Sequence, residues 1–212
     1  MRQEGNQKGR FIVFEGLDGS GKSTQISLLE KELIRQGRRV YLTREPTDAA
    51  VGGLIRETLS GQTKRSSAEL AALFLADRIR HNTNPVNGIQ GYIESGVDVL
   101  CDRYYYSSLA YQGLGSDIGW LIACNCGCPE ILRPDLCVFL DMDAEQCKQR
   151  VDNGRAFLEI FEQSAEQLAR IRGNFMEVFS LLAEEENIVF VDASRPPDEV
   201  AADIKEIVLR LK

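Results

Sequence analysis

The residues Gly16-Leu17-Asp18-Gly19-Ser20-Gly21-Lys22-Ser23, followed by Thr24, satisfy the pattern G-x-x-x-x-G-K-[ST] at all four fixed positions. Glycines so placed let the backbone curl until its N–H groups point inward at phosphate oxygens, and the helix that starts there adds about half a positive charge. Lys22 is then positioned to bridge the β- and γ-phosphates of a nucleoside triphosphate, and Ser23 to ligate Mg2+. A glycine-rich turn with an incidental lysine is the bland alternative, and it needs every fixed position to agree by accident. The pattern alone does not separate a kinase from a GTPase or a motor-type ATPase.

Three further segments carry charge and aromatic surface: Arg44-Glu45-Pro46, Phe74-Leu75-Ala76-Asp77-Arg78, and the run from Asp102 through Arg103, Ser107, Ser108, Tyr111 and Gln112 to Gly113. A nucleoside monophosphate presents a phosphate, a sugar and a flat base, so its site needs a bidentate cation, short polar groups and a stacking ring. Arg103 follows a strand, where open α/β sheets place ligands, and with Arg44 could grip such a phosphate. Asp102 closes an apolar run in the manner of a carboxylate near a metal. Asp141 closes the next such run but has no arginine after it, so Asp102 is the metal candidate beside Ser23. Glu15 leaves two readings open, orienting a metal-bound water or facing solvent. Taken singly, Phe74 and Tyr111 read as core, and Asp18 and the serines as residues that close turns.

The elements that must position these groups alternate along the chain. A β-type run, Phe11-Ile12-Val13-Phe14, leads through the glycine loop into a helix from Lys22 to Gln36 capped by Gly37. A second strand covers Val40 to Thr43, helical spacing returns at Ala50–Leu59 and Ser66–Glu94, and a third strand spans Val97 to Cys101. Pro134 precedes a fourth at Leu136–Leu140, and a fifth at Ile188–Val191 leads through Pro196-Pro197 into a terminal amphipathic helix. The pattern predicts an α/β fold with a five-stranded parallel, doubly wound sheet and helices on both faces. Residues 149–162, with Asn153-Gly154 between flanking arginines, suit a short mobile lid, with a plain surface turn as the alternative. Residues 1–10 form an extension expected to be disordered, and residues 11–212 a single domain.

With the glycine loop, the run Asp102 to Gly113 resembles the thymidylate kinase signature D-R-[YHF]-x-x-S-x-x-A-[YF]-Q-G, and Arg44-Glu45-Pro46 and Phe74–Arg78 are similar to that family's R-E-P and F-x-A-D-R elements. The resemblance implies the P-loop kinase fold, transfer of the γ-phosphoryl group of ATP to dTMP, and a homodimer. It implies that Phe74 stacks on thymine, Arg78 donates to its O4, Ser107 and Ser108 contact the base, and Tyr111 crowds the sugar C2′. Asp18 takes the place of the carboxylate that accepts the acceptor's 3′-OH; Glu45 and Gln112 fall inside the dTMP motifs. One branch of the family carries arginine directly after that acid and the other glycine with basic residues in the lid; this chain has Gly19, so Arg150 and Arg155 are its catalytic candidates. Thr47 stands where many members have glycine.

The formal charge of −7 and pI near 4.9 leave no basic field for nucleic acid, which favours a small anion in a local pocket. No apolar run reaches the roughly 18 residues of a membrane span, and residues 1–10 lack a signal's apolar core, so a cytoplasmic protein is expected. Cys124, Cys126 and Cys128 do not match C-x2-C ligand spacing and lie far from the one histidine, His81; a thiol-bearing loop is the reading. Two rivals to dTMP phosphorylation remain: a nucleotide or deoxynucleoside kinase with another base choice, and a non-catalytic nucleotide-binding regulator. The helix Ser66–Glu94, apolar at Leu70, Leu73, Phe74 and Ile79, is the candidate dimer element.

Overall fold

Among the described residues, short runs of β-branched and aromatic residues supply five strands, β1 (Phe11–Glu15), β2 (Val40–Arg44), β3 (Asp98–Asp102), β4 (Leu136–Asp141) and β5 (Ile188–Asp192). All are parallel, in the order β2-β3-β1-β4-β5. The computed structural model describes residues 8–154, 160–161 and 164–211. Every residue of β1 is buried, as are all but the last of β3 and β4, which requires helices on both sheet faces. These are α1 (Lys22–Arg35), α2 (Ala50–Leu59), α3 (Ser67–Thr83), α4 (Ile89–Glu94), α5 (Tyr105–Gln112), α6 (Ile118–Cys126), α7 (Ala144–Gly154), α8 (Ala165–Leu182) and α9 (Pro197–Leu209). Helix α1 packs on α9, and α5 on α8. The expected α/β, doubly wound architecture is the one observed.

Several boundaries differ from the sequence expectation. The helix expected over Ser66–Glu94 is two, because Pro85 drives Asn84 out of helical geometry (ψ 123°) and ends α3 at Thr83. Ser66 caps α3 in a reciprocal box with Glu69. Helix α5 leaves no periodic signal in the sequence because all eight of its residues are buried, so no polar stripe betrays a period. The supposed thiol loop is mostly helix: Cys124 and Cys126 lie on α6, which Asp117 caps, and Cys128 follows it. All six cysteines are free.

The lid also begins differently. Asn153-Gly154 is not a turn but part of α7, whose buried Cys147 and Val151 hold it to the core. Arg155 and Glu162 lie outside the described residues. At the other terminus, Gly9 and Arg10 are fixed: Gly9 N–H donates to the Ile93 carbonyl (2.8 Å), and Arg10 Nη2 pairs with buried Asp98 (2.7 Å). Residues 1–7 lie outside the described residues.

Candidate active site

Sheet register brings the functional segments to one edge. Phe14 of β1 and Arg44 of β2 both pair with Asp102 of β3, so Glu15, Arg103 and Glu45 emerge side by side at the C-terminal ends of the strands. A cleft of about 630 Å3 opens there, a size suited to small-molecule ligands. Its walls include Asp18, Gly19, Gly21, Lys22, Ser23 and Thr24 from the glycine loop and the start of α1. Opposite these stand Arg44, Glu45, Phe74, Arg78, Arg103, Ser107, Ser108, Tyr111 and Gln112, with Asp102 between and Arg150 at the rim.

In the glycine loop, Gly16, Gly19 and Gly21 all have positive φ (143°, 85° and 98°), which the curl demands. A side chain on Gly19 would meet the Cys147 carbonyl oxygen at 2.5 Å, so α7 lies directly against the loop, and Arg150 Nη1 reaches the Gly19 carbonyl at 3.4 Å. Leu17 turns its side chain into the core, and Ser20 is buried behind the loop. Lys22 Nζ donates to the Gly16 and Leu17 carbonyls (3.1 and 3.0 Å) and lies 3.8 Å from Asp18 Oδ1. Burial pushes its pKa down, as does the charge of Arg103, while Asp18, Asp102 and Glu15 oppose the shift. An anion beside Nζ would reverse that penalty.

Arg103 adopts a left-handed backbone (φ 68°), which costs a non-glycine residue about 1–2 kcal/mol. Its N–H donates to the Phe14 carbonyl (2.9 Å); Nη1 donates to Ser107 Oγ (2.9 Å), Nη2 lies 2.8 Å from Asp18 Oδ2, and the guanidinium rests over the Tyr111 ring at 5.2 Å. Arg44 is mostly exposed and leans on Asp48 (3.0 Å). Glu15 neither faces solvent nor stands free for a metal-bound water: it is fully buried and accepts hydrogen bonds from Tyr104 and Ser107. Burial pushes its pKa up, and Arg103, Ser107 and Tyr104 pull it back.

At the far end, Arg78 is buried and bound on three sides, to Glu45 Oε2 (Nε, 2.9 Å), Asn125 Oδ1 (2.5 Å) and Ser108 Oγ (3.0 Å). Glu45 is in turn held by His81 Nδ1 (3.0 Å), whose Nε2 contacts Thr43 Oγ1 (2.6 Å). Phe74 is half-buried on the cleft wall, and Gln112 is buried there. Thr47 gains a structural reading: its N–H and hydroxyl both donate to Asp77 (2.7 and 2.6 Å), tying the loop after β2 to α3.

A divalent cation fits the donors present. Asp102 and Ser23 line the same cleft, and Asp102 Oδ1 is a buried oxygen with no hydrogen-bond partner among the described residues. Asp141 is excluded from that role by a two-pronged pair with Arg172 of α8 (2.7 and 2.8 Å). Asn125, Arg56, Leu59 and Phe161 were missed from sequence, although all but Asn125 line the cleft. None belongs to a motif; Phe161 has a T-shaped contact with Tyr111 (5.3 Å) that only tertiary structure creates.

The sheet order, the glycine loop and the facing arginines define a P-loop kinase of nucleotides. The family model described as thymidylate kinase matches residues 14–204. Among curated relatives, a probable thymidylate kinase of Thermococcus gammatolerans is 40% identical over 209 residues, covering 94% of this chain and 96% of its own length. The thymidylate kinase of Leifsonia xyli is 39% identical with 94% of each chain covered, and a probable thymidylate kinase of Pyrococcus horikoshii is 37% identical over 95% of this chain and 96% of its own. The chain belongs to the thymidylate kinase family.

Proposed function

We propose that the cleft at the strand ends carries the family's reaction with the glycine loop on ATP and the β3–α5 segment on dTMP. As a thymidylate kinase the protein transfers the γ-phosphoryl group of ATP to dTMP, giving dTDP and ADP. The observation that supports this division of labour is that Lys22 and Arg103 line one cleft and flank the same residue, Asp18, so donor and acceptor phosphates can meet between them.

In the reaction, a dTMP phosphate oxygen forms a bond to the γ-phosphorus while the bond to the β–γ bridging oxygen breaks, and its electron pair leaves with ADP. Lys22 and the N–H groups of the glycine loop neutralise the β- and γ-oxygens, and Arg103, with Arg44, holds the attacking phosphate in line. Arg150, on α7 against the loop, supplies charge to the equatorial oxygens that Gly19 cannot. Phe74 stacks on the base, Arg78 and Ser108 meet its polar edge, Ser107 and Gln112 line its approach, Tyr111 excludes a 2′-hydroxyl and Asp18 takes the 3′-OH. Ser23 and Asp102 would hold Mg2+, whose charge screens the triphosphate. Glu45 acts by holding Arg78.

Residues 11–212 act as one domain with the lid over 149–162, and the protein works in the cytoplasm as a homodimer. No described helix is long and apolar enough to cross a membrane. Of the expected dimer residues, Leu70 is buried against Ile55 and Leu59 of α2, while Leu73, Phe74 and Ile79 are only partly buried, and we keep α3 as the proposed dimer element.

Isothermal titration of Arg103→Ala tests the assignment of sites. Weakened dTMP binding with ATP binding intact is expected, since the guanidinium is the acceptor's bidentate partner. Loss of ATP binding with dTMP binding kept would put Arg103 on the other nucleotide.

A further inference from the structure

Glu15 closes β1 behind the reacting groups and touches neither nucleotide in the reading above. Its carboxylate collects three hydrogens: the N–H of Tyr104 at Oε1 (2.8 Å), the N–H of Ser107 at the same oxygen (3.1 Å), and the hydroxyl of Ser107 at Oε2 (2.6 Å). Tyr104 is the cap residue of α5 and has no capping oxygen to offer, so a carboxylate from a neighbouring strand satisfies the amides that a capping box would satisfy locally.

We propose that Glu15 is a positioning residue for phosphoryl transfer, fixing the Arg103 guanidinium through Ser107 in the orientation that grips the acceptor phosphate. Hydrogen counting gives the direction of this relay. A guanidinium only donates, so Arg103 Nη1 uses a lone pair of Ser107 Oγ, and the single hydroxyl hydrogen must go the other way, to Glu15 Oε2. That oxygen must therefore be an acceptor, which a carboxylate is and a carboxamide nitrogen is not. The backbone is pinned by the same strand: the amide of Arg103 donates to the Phe14 carbonyl and the next amide, Tyr104, to Glu15, holding the left-handed residue from both sides. The inference rests on the proposed role of Arg103 as ligand of the acceptor phosphate.

The test is a double-mutant cycle on the full-length enzyme with Glu15→Gln, Arg103→Ala and their combination. Glu15→Gln keeps the shape but turns a donor toward at least one of the three hydrogens. It should lower kcat/KM for dTMP by about tenfold or more, leave the Kd for ATP within about twofold, and add less than about twofold when Arg103 is already alanine. Ser107→Ala, which keeps Glu15 on both amides and cuts only the hydroxyl link, should be non-additive with Arg103→Ala in the same way, and decides the matter if Glu15→Gln does not fold. Penalties that multiply fully in the Arg103→Ala background would overturn the relay alone. A near-wild-type Arg103→Ala would overturn the acceptor-site reading and the relay with it.

Discussion

Lys22, the proposed partner of the donor phosphates, is held by two loop carbonyls and has its own charge penalised by burial. Replacement by alanine should abolish transfer without unfolding the chain; a variant keeping over a tenth of wild-type kcat, a loss under about 1.4 kcal/mol, would remove Lys22 from the catalytic machinery. Tyr111 has a double duty, under the Arg103 guanidinium and beside Phe161. Tyr111→Ala should therefore lower absolute rates, yet raise the use of ribothymidine monophosphate relative to dTMP, because the proposed exclusion of a 2′-hydroxyl by the ring would be steric. The ratio of the two kcat/KM values reads this, and an unchanged ratio would place sugar discrimination elsewhere. That Lys22 and Tyr111 line one cleft was legible in sequence because their motifs fix both type and spacing. Glu15 was not: its carboxylate acts on a helix 89 residues away through contacts that exist only after β1 and β3 pair.

Helix α7 shows what one element imposes on another. Its Cys147 carbonyl occupies the space a side chain at Gly19 would need, and its Arg150 reaches that residue's own carbonyl. Glycine at this position and arginine on the helix are thus two aspects of one packing arrangement. Gly19→Ala should push α7 off the loop and lower kcat by about tenfold or more, through the strained φ and the displaced arginine together. Arg150→Ala keeps the packing of Cys147 on Gly19 and removes the guanidinium with its reach to the Gly19 carbonyl. It should cost about a hundredfold in kcat with little change in either KM, since arginine supplied in this way acts on the transition state. Near-wild-type turnover in steady-state kinetics would make α7 a cover only. Helices with one polar face were visible from spacing, and the strands from their apolar runs. Helix α5 was not, since burial on every side erases the period, nor was the break at Pro85 weighed against the apolar pattern running through it.

Across the whole molecule, the end of the sheet opposite the cleft is fastened by Asp98 at the start of β3, buried and paired with Arg10 and Arg38. Burial alone would raise its pKa, but the hydrogen bonds from Arg38 and Arg10 hold it down to about 2 against an ordinary 3.8. A carboxyl depressed on folding stabilises above its unfolded pKa and loses that contribution as pH falls through the folded value. The stability difference between wild type and Asp98→Asn in urea should shrink by about 2 kcal/mol between about pH 5 and pH 2. A constant difference would leave the ion pairs without net effect. The doubly wound architecture itself followed from alternation of strand and helix patterns, whereas the sheet order and the meeting of β1, β2 and β3 at one edge depend on crossovers that no local pattern encodes. The reaction proposed for the cleft requires that it join two nucleotides for transfer between them. Release of ADP measured with and without dTMP, with dUMP, CMP and AMP as rival acceptors, tests it most directly. ADP should form in step with dTDP, fastest with dTMP and nearly silent without an acceptor; ADP release indifferent to dTMP, or faster with another monophosphate, would contradict transfer between the two.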